Sequence, residues 1–143
     1  MTSLLIEDES FKQVTSFSIN TLLSIETIEI GDDCFKSIAS NVALYNFPEL
    51  ISLKIGRNSF YNETNDQPID KVFQVQNNSK LLSIEIGEYS FSKFGSTFSI
   101  SSLPSLQNLT IGSIENDSNN FMNIQSFSIK GIINLCNQLI DRS

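Results

Sequence analysis

The sequence predicts an all-β solenoid of four to five stacked turns, with two short strands in each turn of about 25 residues and almost no helix. Three observations lead to this fold class. One motif recurs with glycine and phenylalanine at fixed positions, a second motif alternates apolar with polar residues, and two polar insertions interrupt the period without changing the apolar positions around them. Self-similarity with a period of roughly 20 to 50 residues is typical of repeats that stack on one another.

The first motif occurs four times along the chain. It reads IEIGDDCF, LKIGRNSF, IEIGEYSF and LTIG, and the copies start at Ile28, Leu53, Ile84 and Leu109. The glycines are 25, 31 and 25 residues apart, and the phenylalanines that end the motif are 25, 31 and 30 residues apart. These residues are Gly31, Gly56, Gly87 and Gly112, with Phe35, Phe60, Phe91 and Phe121. We expect the glycine to permit a sharp or left-handed turn after the strand.

The second motif precedes the first in each turn. It reads SFSI at residues 16–19, NVAL at 41–44, VFQV at 72–75, TFSI at 97–100 and SFSI at 126–129. Alternation with a period of two, in short stretches rich in Ile, Val and Phe, predicts strands rather than helices. Segments such as NFPEL and SLPSL separate the two strands of a turn. Pro48 and Pro104 are tolerated there because the missing N–H of proline does little harm in a turn.

The whole chain, residues 1–143, is predicted to form a single repeat domain. The repeats are a partial one at about 1–11, full ones at 12–35, 36–60, 61–91 and 92–121, and a partial one at 122–143. The two insertions lie around residues 61–67 and 113–119, and their content of Asn, Asp and Ser predicts loops. We expect both loops to be mobile and to tolerate deletion, for example of residues 62–67.

Stacked turns place equivalent residues about 4.8 Å apart, so the apolar positions are expected to form interior columns. One column contains Leu53, Ile84 and Leu109, and a second contains Ile30, Ile55, Ile86 and Ile111. An aromatic column contains Phe35, Phe60, Phe91 and Phe121, and the opposite wall contains Phe17, Val42, Phe73, Phe98 and Phe127. We interpret these columns as core and not as a ligand slot. Asn78 occupies an interior position, so it is expected to be a buried amide with satisfied hydrogen bonds.

The segments LISLKIGRNSF (residues 50–60) and LQNLTIG (residues 106–112) resemble the leucine-rich-repeat pattern LxxLxLxxNxL, and the segment FxIxxLPxL resembles the rest of such a repeat. The nearest type is the short β-rich repeat of BspA-like proteins and of large repeat families in unicellular eukaryotes. The resemblance covers nearly the whole chain. The asparagine of the family pattern falls on Asp33, Asn58, Tyr89 and Ile114, so the resemblance implies an incomplete asparagine ladder between turns.

The residues between the apolar positions of the first motif are expected to point outward in three rows. The rows are Thr27, Ser52, Ser83 and Asn108; then Glu29, Lys54, Glu85 and Thr110; then Asp8, Asp32, Arg57, Glu88 and Ser113. Basic residues between acidic neighbours predict a charge ladder that supports stacking, and the same face is a candidate binding surface. The candidate binding residues are Lys54, Arg57, Ser83, Glu85, Glu88 and Asn108.

Composition argues against several classes of function. The formal net charge is −7 with only nine Lys and Arg residues, which disfavours nucleic acids and anionic membranes as partners. The absence of His and of phosphate-binding or nucleophile motifs predicts a protein that is not an enzyme and carries no cofactor or metal. No run of 18 apolar residues occurs, so no membrane insertion is expected. The start of the chain does not resemble a signal peptide, and a bridge between Cys34 and Cys136 is improbable, which favours the cytoplasm.

Two functions remain open at this stage. The first is a non-catalytic recognition module that binds a protein partner through the exposed sheet face and the insertion loops. The alternative is a structural element that associates with itself through its open ends, as a fragment of a larger surface protein. Asn-x-Ser/Thr sequons occur at Asn62, Asn77, Asn108 and Asn116, and those at Asn62 and Asn116 are candidates for glycans if the protein is exported.

Overall fold

The computed structural model describes residues 1–63, 67–113 and 119–131. Within these ranges the chain forms nine short strands and no helix, which confirms the predicted all-β solenoid of about five turns. The strands are β1 (Ser3–Ile6), β2 (Thr27–Ile30), β3 (Val42–Tyr45), β4 (Ser52–Ile55), β5 (Phe73–Gln76), β6 (Ser83–Ile86), β7 (Thr97–Ser101), β8 (Asn108–Ile111) and β9 (Ser126–Lys130).

The strands form two parallel sheets. The first sheet has the order β1-β2-β4-β6-β8, and the second has the order β3-β5-β7-β9. Equivalent residues of the repeats lie directly opposite one another, as Leu53 does with Ile84 and Ile55 with Ile86. This register confirms the predicted interior columns. Burial alternates along the strands as the period-two pattern predicts, because Leu53 and Ile55 are buried while Lys54 between them is exposed.

The predicted aromatic column runs through the molecule as a continuous stack. The rings of Phe11, Phe35, Phe60, Phe91 and Phe121 follow one another with centroid separations of 5.4, 4.8, 4.9 and 5.1 Å and interplanar angles of 12° or less. Val42, Phe73, Phe98 and Phe127 are in register on the opposite wall, as predicted. Edge-to-face contacts such as Phe98–Phe121, at 4.8 Å and 72°, join the two walls across the core.

The motif glycines are required for space at three of the four turns. The sequence predicts a sharp or left-handed turn at these glycines. The left-handed alternative is wrong for Gly31, Gly56 and Gly87, which do not have positive φ, whereas Gly112 adopts it with φ of 76°. A Cβ atom on Gly56 would lie 2.5 Å from the carbonyl carbon of Gly31, and one on Gly87 would lie 2.5 Å from the amide nitrogen of Arg57. These distances are far below van der Waals contact. Glycine is therefore needed because each turn packs directly against the backbone of the turn before it.

Other residues of each corner adopt the left-handed conformation. The phenylalanines that end the motif have φ between 48° and 58°, and the residues two positions earlier are also left-handed; these phenylalanines are Phe11, Phe35, Phe60, Phe91 and Phe121. The residues two positions earlier are Glu9, Asp33, Asn58, Tyr89 and Asn119, with φ between 48° and 64°. This left-handed position is the one that the family pattern assigns to asparagine. In the last full turn it is occupied by Asn119 and not, as predicted, by Ile114, which lies outside the described residues. The second insertion is therefore accommodated before this corner.

One predicted strand is absent. Residues 16–19 do not form a strand, although the other four copies of the second motif do so within one residue of the predicted limits. Among the described residues, no backbone hydrogen bond joins residues 16–19 to strand β3. The amide of Phe17 instead donates to Oγ of Ser40 at 3.2 Å. The amide of Phe17 is thus satisfied by a side chain and not by a backbone carbonyl of β3.

A ladder of buried side chains, which the sequence analysis missed, joins the turns at the residue before each phenylalanine. The Ser59 hydroxyl accepts from the amide of Cys34 at 3.1 Å and donates to the carbonyl of Gly31 at 2.8 Å. The Ser90 hydroxyl repeats this pattern one turn later. It accepts from the amide of Ser59 at 3.0 Å and donates to the carbonyl of Gly56 at 2.7 Å. The ladder satisfies backbone groups that the corner leaves without a partner.

Two buried amides complete the polar core. Asn78 accepts from the amide of Phe47 at 2.8 Å and donates to the carbonyl of Leu44 at 3.1 Å, which confirms the predicted satisfied amide. Asn62 is 3% exposed and donates to the carbonyl of Ile38 at 2.9 Å. The interpretation of Asn62 as a loop residue that can carry a glycan is therefore wrong, because its side chain is part of the core, while tolerance to deletion of residues 62–67 stays a prediction. Residues 64–66 and 114–118, with most of the two predicted insertions, and Cys136 lie outside the described residues.

We predict that Phe60→Ala and Ile86→Ala each lower the free energy of unfolding by about 2–5 kcal/mol, because each removes a fully buried side chain with neighbours on both sides. Urea unfolding followed by circular dichroism measures the change. Leu82→Ala, at a side chain that is 37% exposed, is the control. A shift no larger than that of the control would contradict the register described above.

Candidate functional site

The predicted binding residues all lie on the outward side of the first sheet or in the corners that follow its strands. Lys54 lies in β4, Ser83 and Glu85 lie in β6, and Asn108 lies in β8. Arg57 and Glu88 directly follow the glycines that come after β4 and β6. The fold therefore brings the six residues together across three adjacent turns.

The charged residues of this face form a ladder that is only partly paired. Arg57 lies between two carboxylates, with Nε 3.5 Å from Oδ2 of Asp32 and Nη1 3.8 Å from Oε1 of Glu88. Lys54 Nζ is 3.9 Å from Oε1 of Glu29. Glu85 lies opposite Lys54 in the sheet register, but no ion pair joins them among the described residues. Exposed pairs at these distances contribute about 0–1 kcal/mol each, so the side chains remain available to a partner.

Two carboxylates of the ladder have a structural role. Oδ1 of Asp32 accepts a hydrogen bond from the amide of Arg57 at 2.7 Å, and Oδ1 of Asp8 accepts from the amide of Asp32 at 2.8 Å. Each carboxylate thus bonds to the backbone of the next turn. We conclude that Asp8 and Asp32 support the stacking, whereas Lys54, Arg57 and Glu85 project from it.

An exposed apolar pair borders the same face and was not predicted from the sequence. Ile51 and Leu82 are 39% and 37% exposed, and each immediately precedes a strand of the first sheet. They are adjacent, since the amide of Leu82 donates to the carbonyl of Ile51 at 2.8 Å. In the sequence they are the second residues of LISLKI and LLSIEI, where an apolar residue follows the first leucine directly. The three predicted outward rows do not include this position.

The outward side of the second sheet has a different character. Its rows join Ala43, Gln74, Ser99 and Ser128, and then Tyr45, Gln76, Ser101 and Lys130. Lys130 is the only charged residue in these four strands. The charges and the exposed Ile51–Leu82 pair are therefore concentrated at the first sheet.

A corner beside the first sheet contains a buried cation. Lys36 is 6% exposed, and its Nζ lies 3.1 Å from Oδ1 of Asp33 and 3.0 Å from Oε1 of Glu63. Burial opposes ionisation of Asp33, but hydrogen bonds from Lys36 and Asn58 outweigh it, so the pKa of Asp33 is lowered from its ordinary value. The corner is thus tied together by charged hydrogen bonds.

The described residues offer little reactive chemistry. No group of three or more His, Cys, Asp or Glu side chains within them could hold a metal ion. Burial raises the pKa of the Cys34 thiol, which therefore favours the protonated and unreactive form. No helix in residues 1–63, 67–113 or 119–131 is long and apolar enough to cross a membrane. The fold and the site define a parallel β-solenoid with one charged face.

Comparison with protein-family models, curated proteins and solved structures found no match for this chain. The fold class therefore rests on the strands and their register alone.

We predict that the stabilising effect of Asp33 disappears in acid. Because the pKa of Asp33 is lower in the folded state, its contribution is fully present above the unfolded value of about 3.9 and is lost as the pH falls through the folded pKa. The difference in unfolding free energy between the wild type and Asp33→Asn should therefore shrink below about pH 4. Exposed Glu26, changed to Gln, controls for the loss of a negative charge. A difference that does not vary with pH would contradict the assignment.

Proposed function

We propose that this protein is a non-catalytic recognition module of the leucine-rich-repeat-like type, which binds a protein partner through the outward face of its first sheet. The observation that carries the proposal is the meeting of exposed apolar and charged side chains on the middle turns. Ile51 and Leu82 form an exposed apolar edge directly before β4 and β6, and Lys54 and Glu85 lie three residues further along the same strands. Protein interfaces combine exposed apolar and polar side chains in this way.

The order of charges sets the chemistry expected of the partner. Two parallel rows run acidic, basic, acidic across the turns, as Glu29, Lys54 and Glu85 and as Asp32, Arg57 and Glu88. A matching surface presents basic, acidic and basic groups at a spacing close to that of neighbouring strands, about 4.8 Å. Ser83 and Asn108 add uncharged hydrogen-bonding groups at the start of their strands. The face therefore selects a partner by charge order and not by net charge.

The repeat pattern supports the same proposal. The segments that resemble leucine-rich repeats, residues 50–60 and 106–112, contain β4 and β8 of the first sheet. In a stacked repeat protein the apolar residues are used in the core, and the residues between them are free to vary with the partner. The candidate residues occupy such positions.

We predict that Lys54→Glu combined with Arg57→Glu weakens capture of the partner by about tenfold or more, because it makes both rows uniformly acidic where the partner meets alternating charges. Pull-down from a lysate with quantitative mass spectrometry identifies the partner, and titration of the purified pair measures the affinity.

The control is Lys12→Glu combined with Lys80→Glu. These two lysines are exposed, and each also forms one ion pair, at 2.9 Å with Glu9 and at 2.6 Å with Glu49. The control therefore matches the change in net charge, and it removes two ion pairs where the test variant removes three. Equal capture by the folded test and control variants would reject the first-sheet face.

The alternative, a self-associating structural element, is disfavoured by one residue. Glu7 occupies the glycine position of the first turn, since the amide of Gly31 donates to the carbonyl of Ile6 and so aligns Gly31 with Glu7. A Cβ atom on Gly31 would lie 2.7 Å from the amide nitrogen of Asp8, in the preceding turn. The Cβ of Glu7 likewise occupies the space that a further in-register turn would need. This geometry opposes head-to-tail stacking on the first turn.

We predict that Glu7→Gly promotes end-to-end association, whereas Glu7→Ala does not. Both variants lose the same charge, but only glycine removes the Cβ that obstructs a stacked turn. Light scattering over a range of protein concentrations measures the mean mass. A wild type that already associates as strongly as Glu7→Gly would restore the self-associating alternative.

A further inference from the structure

A trough crosses strands β4 and β6 on the outward face of the first sheet. Its floor is formed by Ser52 and Ser83, which lie opposite each other and are half-buried. The side chains on both sides of this floor are longer and exposed, namely Ile51 with Leu82 on one side and Lys54 with Glu85 on the other. The trough therefore has one apolar wall and one charged wall.

The dimensions of the trough match those of an α-helix. Its walls are three residues apart along each strand, which corresponds to about 10 Å, and a helix with its side chains is about 10–12 Å across. Within a wall, neighbouring side chains are separated by the strand spacing of about 4.8 Å, and helix residues three or four apart are separated by about 5–6 Å. Alternate residues of an extended peptide are about 6.6 Å apart, so a strand laid across the sheet fits this spacing less well.

The apolar wall is confined to two adjacent turns. The amide of Ile51 donates to the carbonyl of Glu26, and the amide of Gln107 donates to the carbonyl of Leu82. The equivalent positions in the turns before and after are thus occupied by Glu26 and Gln107, which are polar and exposed. A helix that lies in the trough needs only one apolar pair, three or four residues apart, to cover this wall.

The charged wall has a fixed order. Its basic residue, Lys54, lies in β4, and its acidic residue, Glu85, lies in β6. Lys54 is 3.9 Å from Oε1 of Glu29, whereas Glu85 forms no ion pair within the described part of the chain. Arg57 and Glu88 repeat the same order further along the two turns. A partner therefore gains most from an acidic group beside Lys54 and a basic group beside Glu85.

The charges on the far side of the apolar wall run in the opposite order, but they pair with each other. Glu49 and Lys80 lie two residues before Ile51 and Leu82, and Nζ of Lys80 is 2.6 Å from Oε2 of Glu49. This close pair satisfies both groups, in contrast to Glu85. The charge order that a partner meets is therefore set inside the trough.

We propose that the trough binds an α-helix of the partner protein, which lies across β4 and β6 with an apolar stripe against Ile51 and Leu82. Beside this stripe the helix presents an acidic residue to Lys54 and, three or four residues away, a basic residue to Glu85. This inference rests on the proposed function, because it names the kind of surface that the first sheet recognises. It goes further, since a loop or a strand with the same charges would not satisfy it.

The test uses alanine-rich helical peptides of about 16 residues, titrated into the full chain and followed by NMR. One peptide has leucine at positions i and i+4, glutamate at i+1 and lysine at i+5. The second peptide has the same composition, with the glutamate and the lysine exchanged. With the leucines on the apolar wall, the handedness of the helix lets only one order place its acid beside Lys54 and its base beside Glu85. That peptide should bind about fivefold or more tightly than the other, with shifts centred on Ser52 and Ser83.

Exchange of the two charges in the protein, Lys54→Glu with Glu85→Lys, should invert this preference. The exchange preserves the net charge and the composition of the wall, so only the order of charges differs. The matched control is Glu49→Lys with Lys80→Glu, which exchanges a pair on the same two turns outside the trough. The control should leave the preference as it is in the wild type.

A third peptide, with proline between the two leucines, cannot form the helix and should not bind. Equal binding of the proline peptide, absence of binding by both helical peptides at millimolar concentration, or a preference that the exchange of Lys54 and Glu85 leaves unchanged would overturn the inference. If it is overturned while Lys54→Glu with Arg57→Glu still weakens capture of the partner protein, the proposed function stands and only the helix is rejected.

Discussion

The close approach of each turn to the one before it is the constraint on which the rest of the structure depends. Parallel strands lie about 4.8 Å apart, and at the corners this spacing leaves no room for a Cβ on Gly56 or Gly87. The same spacing brings the Phe60 and Phe91 rings into parallel contact at 4.9 Å. It also lets the Ser59 hydroxyl bond to two backbone groups. The core, the corners and the outward rows therefore share one repeat distance.

The periodic part of this arrangement could be predicted from the sequence, because a residue repeated in every turn has the same neighbours in every turn. The aromatic column and the register of Leu53 with Ile84 are of this kind. The motif glycines were also predicted, but a pattern does not distinguish a sharp or left-handed turn from a lack of space for a Cβ. The Ser59–Ser90 ladder was visible as the residue before each phenylalanine, but the family pattern directed attention one position earlier.

Features that belong to a single turn could not be predicted in this way. Asn62 looks like loop sequence, and only its contact with the carbonyl of Ile38 shows that it belongs to the core. The SFSI at residues 16–19 has the same letters as β9, yet it forms no strand, and the amide of Phe17 bonds to the Ser40 hydroxyl instead. The six candidate residues could be placed on one face from alternation alone. Ile51 and Leu82 could not, because they precede the alternating positions and their exposure depends on the turn geometry.

The side chain of Glu7 also bears on how such a protein can change its length over generations. The described contacts run mainly between neighbouring turns. Duplication of an internal segment of about 25 residues therefore adds a turn that already fits the turn on either side of it. A unit placed ahead of the turn that contains Glu7 has no such advantage, since it would meet the Cβ of Glu7. The turns that contain β2, β4 and β6 have glycine at the equivalent position. Growth by gene duplication is therefore favoured at the junctions that have glycine over a junction at Glu7.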